Sequence, residues 1–114
     1  MNERDQTYFE DMLSYGMDAI EFLGEADAAD LAADKRTRYA LSRAVEIVGE
    51  AASKVSEDGR AILADIPWRD IIGMRNTLIN GYRGMDLDLL VEAVRDHLPS
   101  LVKRLEGLLK DAPE

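Results

Sequence analysis

Residues 67–84 read PWRDIIGMRNTLINGYRG, and how this stretch winds decides what the rest of the chain must be. At about 100° per residue, Trp68, Ile71, Ile72, Leu78 and Ile79 share one apolar face, with Arg75 and Tyr82 in the middle of it. A second stripe, about a quarter-turn away, carries Arg69, Gly73, Asn76, Asn80 and Arg83. An arginine centred on an apolar face is costly unless a carboxylate, a carbonyl or a ligand phosphate meets its guanidinium. The stretch therefore reads as one helix that holds a cation and a phenol at a sheltered edge, with amides beside them. Pro67 suits its first turn, where the missing N–H is not needed, and Gly81 and Gly84 loosen its end.

Outward from this helix, every long segment repeats at helical period and alternating strand-like runs are absent, so the chain reads as all-α. Residues 4–23 place Phe9, Met12, Leu13, Gly16, Ile20 and Leu23 on one stripe, and Gly24 is a plausible stop. Residues 25–33, rich in Ala and Asp, read as a short helix or turn before Asp34, a reasonable N-cap. The basic run Lys35-Arg36-Thr37-Arg38 opposes the helix dipole in a first turn and reads as a solvated turn, with phosphate or partner contact as the rival. A second long helix, ending near Val55, aligns Leu41, Ala44, Val45, Val48, Ala51, Ala52 and Val55. Its other side carries Arg43, Glu46, Glu50 and Lys54 at pairing distance, and Glu50 could also face Arg75 across a subunit boundary. Residues 56–65 contain a short helical turn around Ala61 and Leu63. Asp86 is the expected N-cap of the last helix, whose seam is Leu87, Val91, Val94, Leu98, Leu101, Leu105 and Leu108. Pro99 predicts a kink or break near Leu98, and residues 111–114 a frayed tail. The expectation is an up-and-down bundle of about five helices in a single domain, 1–114.

Composition bounds the function. The 114 residues are 46% hydrophobic, enough for one core, and contain no cysteine, which excludes disulfides and thiolate metal sites. No run reaches the ~18 apolar residues of a membrane span, and the acidic N-terminus is unlike a signal or transit peptide, so a cytoplasmic address is expected. A net charge of −9 means that any RNA must meet a local basic patch, one assembled between subunits for example. The acidity equally suits a basic protein partner. A single histidine, His97, reads as a surface or capping residue, and Asp86 and Asp88 as capping and solubility rather than a Mg²⁺ cluster.

Arg75-Asn76-x-x-x-Asn80-x-Tyr82 resembles the R-x4-H-x-Y signature of HepT-like proteins, a branch of the HEPN superfamily. Similar words flank it in order: Ala44-Val45-Glu46-Ile47-Val48-Gly49-Glu50-Ala51-Ala52, Ile66-Pro67-Trp68, Met74-Arg75-Asn76, Gly84-Met85-Asp86 and Asp96-His97-Leu98-Pro99. The resemblance covers residues 8–109 and departs at one signature position, where the family's His is Asn80. It implies a HEPN-like homodimer, joined through the motif-bearing helix so that two motifs meet across a two-fold axis. It also implies the toxin of a toxin–antitoxin pair, a metal-independent endoribonuclease without a cofactor. The family's His would serve as base or acid, Arg75 would take the phosphate, and Asn76 would position both, with further RNA contacts from Arg69 and Arg83. Tyr82 matches the tyrosine that an MNT-type nucleotidyltransferase antitoxin adenylylates; its plainer reading is a core or interface aromatic. A carboxamide does not titrate near neutral pH, and general acid–base help is worth about 10²–10⁴ in rate, so Asn80 implies weak activity or none. Asn80 fits either a natural loss or a deliberate replacement that silences a toxic enzyme. The alternatives are a non-catalytic HEPN-derived module that binds RNA or a protein partner, and a structural bundle with no site.

Overall fold

A computed structural model describes residues 1–75 and 86–110 of the chain. Among them are six helices: α1 (Glu3–Leu23), α2 (Ala28–Ala33), α3 (Lys35–Lys54), α4 (Glu57–Ile62), α5 (Trp68–Gly73) and α6 (Leu87–Lys110). No strand occurs among the described residues.

Local chemistry sets most of the helix ends. Asn2 Oδ1 accepts from Asp5 N at 2.7 Å, and Asp27 and Asp30 close a reciprocal capping box. Asp34 accepts from Thr37 N at 3.0 Å, Ser56 from Gly59 N at 3.1 Å and Asp86 from Leu89 N at 3.0 Å. The expected caps Asp34 and Asp86 are thus in place, and Gly24 ends α1 with φ 51, in the left-handed region that glycine adopts readily. Within the basic run, Arg38 Nη1 donates to the Leu31 and Ala32 carbonyls at 3.0 and 2.9 Å, so this arginine caps the C-terminal end of α2.

Packing follows the apolar stripes. α1 lies chiefly against α3 and then α6, while α2 touches both α3 and α6, and α5 rests on α3. Phe9 and Met12 of α1 meet Leu41, Val45 and Val48 of α3 and Val94, Leu98 and Leu105 of α6 in one fully buried cluster. The seven residues expected inward on the second long helix are all buried. On α1, Leu13 and Ile20 are only half-buried while Ala19 is buried; on α6, Leu90 and Val102 join the core while Val91 and Leu108 lie half-buried. The buried stripe is therefore wider than the narrow seam expected, because α6 must fill space against α1 as well as α2.

Two expectations change. α6 runs unbroken from Leu87 to Lys110 through Pro99, so the break foreseen near Leu98 does not occur. Both Pro99 and Arg95, whose carbonyl a residue-99 N–H would have bonded, are exposed, so water can serve the freed carbonyl. The short helix foreseen around Ala61 and Leu63 begins earlier, at Glu57, because Ser56 caps it.

One charged side chain is deep in the fold. Asp5, 2% exposed, accepts from Ser56 N at 3.0 Å with Oδ1 and from Ser56 Oγ with Oδ2, tying the start of α1 to the start of α4. Gly59 lies against it: a Cβ there would come within 2.5 Å of Asp5 Oδ2.

Candidate functional site

The motif-bearing stretch is described as far as Arg75. α5 covers Trp68–Gly73, and its end tightens: Met74 N bonds back to Ile71 O, and Arg75 N reaches Ile72 O at 3.4 Å. Ile71 is fully buried and Trp68 half-buried, as the apolar face requires. The indole Nε1 donates to Leu63 O at 3.0 Å, and the ring lies 6.2 Å from Phe9. Asn76, Leu78, Ile79, Asn80, Gly81, Tyr82, Arg83 and Gly84 lie outside the described residues, as does the expected tail 111–114.

Arg75 is half-buried and turned toward α3. The sequence demanded a carboxylate, carbonyl or phosphate for its guanidinium; the partner found is a hydroxyl. Arg75 Nη1 donates to Ser53 Oγ at 2.9 Å. That oxygen in turn donates to the Glu50 carbonyl at 2.6 Å, so its proton is engaged and a lone pair faces the arginine. Ser53 is gripped from its backbone as well, by Arg60 Nη2, which donates to Ser53 O at 3.2 Å. The Arg60 guanidinium lies 5.8 Å from the Trp68 ring centroid, and its Nε is buried with no hydrogen-bond partner among the described residues.

The carboxylate nearest in sequence does not reach Arg75. Glu50 is directed to Lys54 Nζ at 3.9 Å, and Arg43 meets Glu46 at 3.3 Å, the surface pairing that the spacing predicts. Among the described residues the third ion pair is Arg104 with Asp65, and none includes Arg75. Residues 76–85 contain no Asp or Glu. The guanidinium therefore keeps its full charge at a partly sheltered edge of the bundle.

Arg69 is placed elsewhere. It lines a cleft of about 340 Å³ between α5 and α6, with Asp70, Glu92, Asp96 and His97 around it and Met74, Leu89 and Ala93 among the apolar lining residues. Three carboxylates outnumber the one arginine there, which disfavours a phosphate in that cleft. His97 is half-buried and also borders a smaller cavity against Asp65, Pro67 and Arg104. No group of three or more His, Asp or Glu among the described residues is placed to hold a metal ion, and no helix there is long and apolar enough to cross a membrane.

The sequence reading did not find Ser53 or the spatial part played by Gly49. A serine near a helix end carries no functional signal by itself. Gly49 did offer one, since a glycine inside a helix weakens it and asks for a packing reason.

An all-α bundle that presents an arginine free of carboxylate partners at one edge defines a class of small helical proteins built to meet a polyanion. Comparison with known proteins narrows that class. Residues 12–108 match the family model described as Ribonuclease HepT-like. The "Probable ribonuclease HepT" of Thermococcus cleftensis is 36% identical over 96% of this chain and all of its own length. Two Methanocaldococcus jannaschii proteins provisionally named as RNases are 36% and 34% identical, over 93% and 100% of this chain and 98% and 99% of theirs. No solved structure matches the chain. The chain belongs to the HepT-like ribonuclease family of the HEPN superfamily.

Proposed function

We propose that this chain is the HepT-like toxin of a toxin–antitoxin pair, with a metal-independent endoribonuclease site weakened by Asn80. The observation that carries the reading is Arg75, held at the start of the motif by a neutral hydroxyl and met by no described carboxylate. RNA cleavage of this kind needs a base to take the proton of a ribose 2′-OH and a cation to stabilise the charge gathering on the phosphorane. Arg75 supplies the cation. Asn76 orients the phosphate, and position 80, one turn on, is where the base or acid belongs. Asn80 can donate and accept a hydrogen bond there but cannot exchange a proton near pH 7. In a homodimer paired through this helix, two such edges form one RNA cleft, with Arg83 along the strand. Arg69, in its acidic cleft, is the weaker of the two flanking contacts. Adenylylation of Tyr82 by an MNT-type nucleotidyltransferase antitoxin would add bulk and negative charge to that edge and repel RNA.

Asn80→His tests the reading. Ribonuclease activity should rise by about 10² or more, the scale of a positioned acid–base group, should survive EDTA and should vanish again on Arg75→Ala. Asn80 itself favours a second reading, a HEPN-derived module that binds RNA without cutting it. Background cleavage by a folded, dimeric Asn80→His variant that still binds RNA would establish it.

A further inference from the structure

We propose that Gly49 and Ser53, one turn apart on α3, form a seat that positions Arg75 for phosphate. This rests on the phosphate role of Arg75 given above and identifies what aims the cation. Positions i and i+4 of a helix stand one above the other on the same face, so the two residues act on a single neighbour.

Gly49 receives the backbone. A Cβ at this position would lie 3.0 Å from both Arg75 N and Arg75 Cβ, and 3.3 Å from Ile71 O. These atoms belong to the end of α5 and to the root of the side chain, so they cannot swing aside as the tip of a flexible side chain would. The missing side chain lets the Arg75 backbone rest directly on α3, which fixes where the arginine starts. Ser53 then receives the other end. Its Oγ proton is committed to Glu50 O at 2.6 Å, which leaves an acceptor for Arg75 Nη1 at 2.9 Å. The hydroxyl is itself held in place, because Arg60 secures the Ser53 carbonyl at 3.2 Å.

The choice of a hydroxyl matters chemically. A carboxylate at position 53 would hold the guanidinium more tightly but would cancel the charge that a phosphodiester must meet. Serine supplies direction without neutralisation. Its neighbour Glu50, the acid that could compete, is turned to Lys54 at 3.9 Å. Gly49 and Ser53 are thus positioning residues: each acts on RNA only through Arg75.

Because Asn80 limits turnover, binding can be read directly on the unsubstituted chain. The probe is a short, fluorescein-labelled, single-stranded RNA carrying 2′-O-methyl groups throughout, followed by anisotropy at several salt concentrations. Arg75→Ala should weaken binding and reduce the steepness of log Kd against log salt by about one, the signature of one lost phosphate contact. Ser53→Ala should raise Kd by about tenfold, the scale of one charge-assisted hydrogen bond, while the salt slope stays as it was because the charge remains. Ser53→Thr, which keeps the hydroxyl, should restore the Kd. Gly49→Ala should weaken binding while far-UV circular dichroism and the thermal midpoint show a folded helix. On an Arg75→Ala background neither Ser53→Ala nor Gly49→Ala should weaken binding further.

A Kd unchanged by Ser53→Ala, when Arg75→Ala weakens binding, overturns the seat and leaves the proposed function standing. Additive losses on the Arg75→Ala background also overturn it, since they mean a purely structural effect. Absence of RNA binding by the unsubstituted chain, or a Kd unaffected by Arg75→Ala, overturns the phosphate reading and the seat together. Should Gly49→Ala fail to fold, Ser53→Ala with its threonine rescue decides, because Ser53 is only half-buried.

Discussion

Two charges sit against the same short piece of chain and are treated differently. Asp5 is held by Ser56 and Arg75 by Ser53, so each is met by a neutral serine near the end of α3 rather than by an opposite charge. Asp5 is 2% exposed, and both of its oxygens are occupied by the N–H and O–H of one residue. Arg75 is half-buried, and among the described residues one nitrogen of its fork is spoken for. A saturated buried charge is a fastener: its value lies in the desolvation penalty its partners would suffer without it. A charge with spare donors at a sheltered edge contributes little to the fold and much to whatever anion arrives. The same device, serine facing charge, therefore serves structure at one end of the loop and recognition at the other.

The difference can be broken most sharply by truncation at the structural end. Asp5→Ala should cost about 2–4 kcal/mol in chemical unfolding, since it leaves Ser56 N–H and Oγ–H buried without an acceptor. Gly59→Ala should fall in the same range, because its Cβ would meet Asp5 Oδ2 at 2.5 Å and Val55 Cγ1 at 2.7 Å, atoms with nowhere to retreat. Arg75→Ala should cost about 1 kcal/mol or less while abolishing RNA affinity. Equal stability losses for Asp5→Ala and Arg75→Ala would end the distinction.

A finer probe lies between the two sites. Trp68→Phe keeps a ring beneath Arg60 and beside Phe9 but removes the indole N–H that reaches Leu63 O. A loss of about 1 kcal/mol is expected, with RNA binding little changed. A large drop in affinity would mean that Trp68 and Arg60 do more than brace Ser53.

The smallest effect concerns acid. Asp27, Asp34 and Asp65 all titrate below the ordinary aspartate value: Asp27 through the Asp30 backbone N–H, Asp34 through the Thr37 hydroxyl, and Asp65 through the Arg104 guanidinium. A folded-state pKa below the unfolded one means that the unfolded chain takes up protons first as pH falls. Their contribution is therefore complete above the unfolded aspartate pKa of about 3.9 and is lost as pH drops through the lower folded values. Thermal midpoints should be flat in this respect from about pH 7 to 5 and decline below about pH 4. Thr37→Ala, which removes the hydroxyl that donates to Asp34, should make the acid decline shallower, and an unchanged acid limb would discount the cap.

The helices were legible because their information is local. Asp34, Asp86 and Gly24 announce helix ends through hydrogen bonds and a backbone angle that span three or four residues. The stripe of Leu41, Val45 and Val48 announces a buried face through periodicity alone. Pro99 misled as a break because its cost depends on whether the orphaned carbonyl meets water, and that is a property of the assembled surface. The family was legible in the signature from Arg75 to Tyr82 and its flanking words, and the match over residues 12–108 agrees with it.

The residues that aim the candidate site were not legible. The sequence by itself determined that an arginine stands on an apolar face and needs a partner, since that follows from helix period and the cost of burying charge. It could not say that the partner is Ser53, twenty-two positions away, nor that Gly49 exists to let the Arg75 backbone come within 3.0 Å of where its Cβ would be. It likewise gave no sign that Asp5, one acid among 23 Asp and Glu, is the buried one. Those assignments depend on which faces of α1, α3 and α5 meet and how closely. Packing sets them through contacts between residues far apart in the chain, and no local pattern records it.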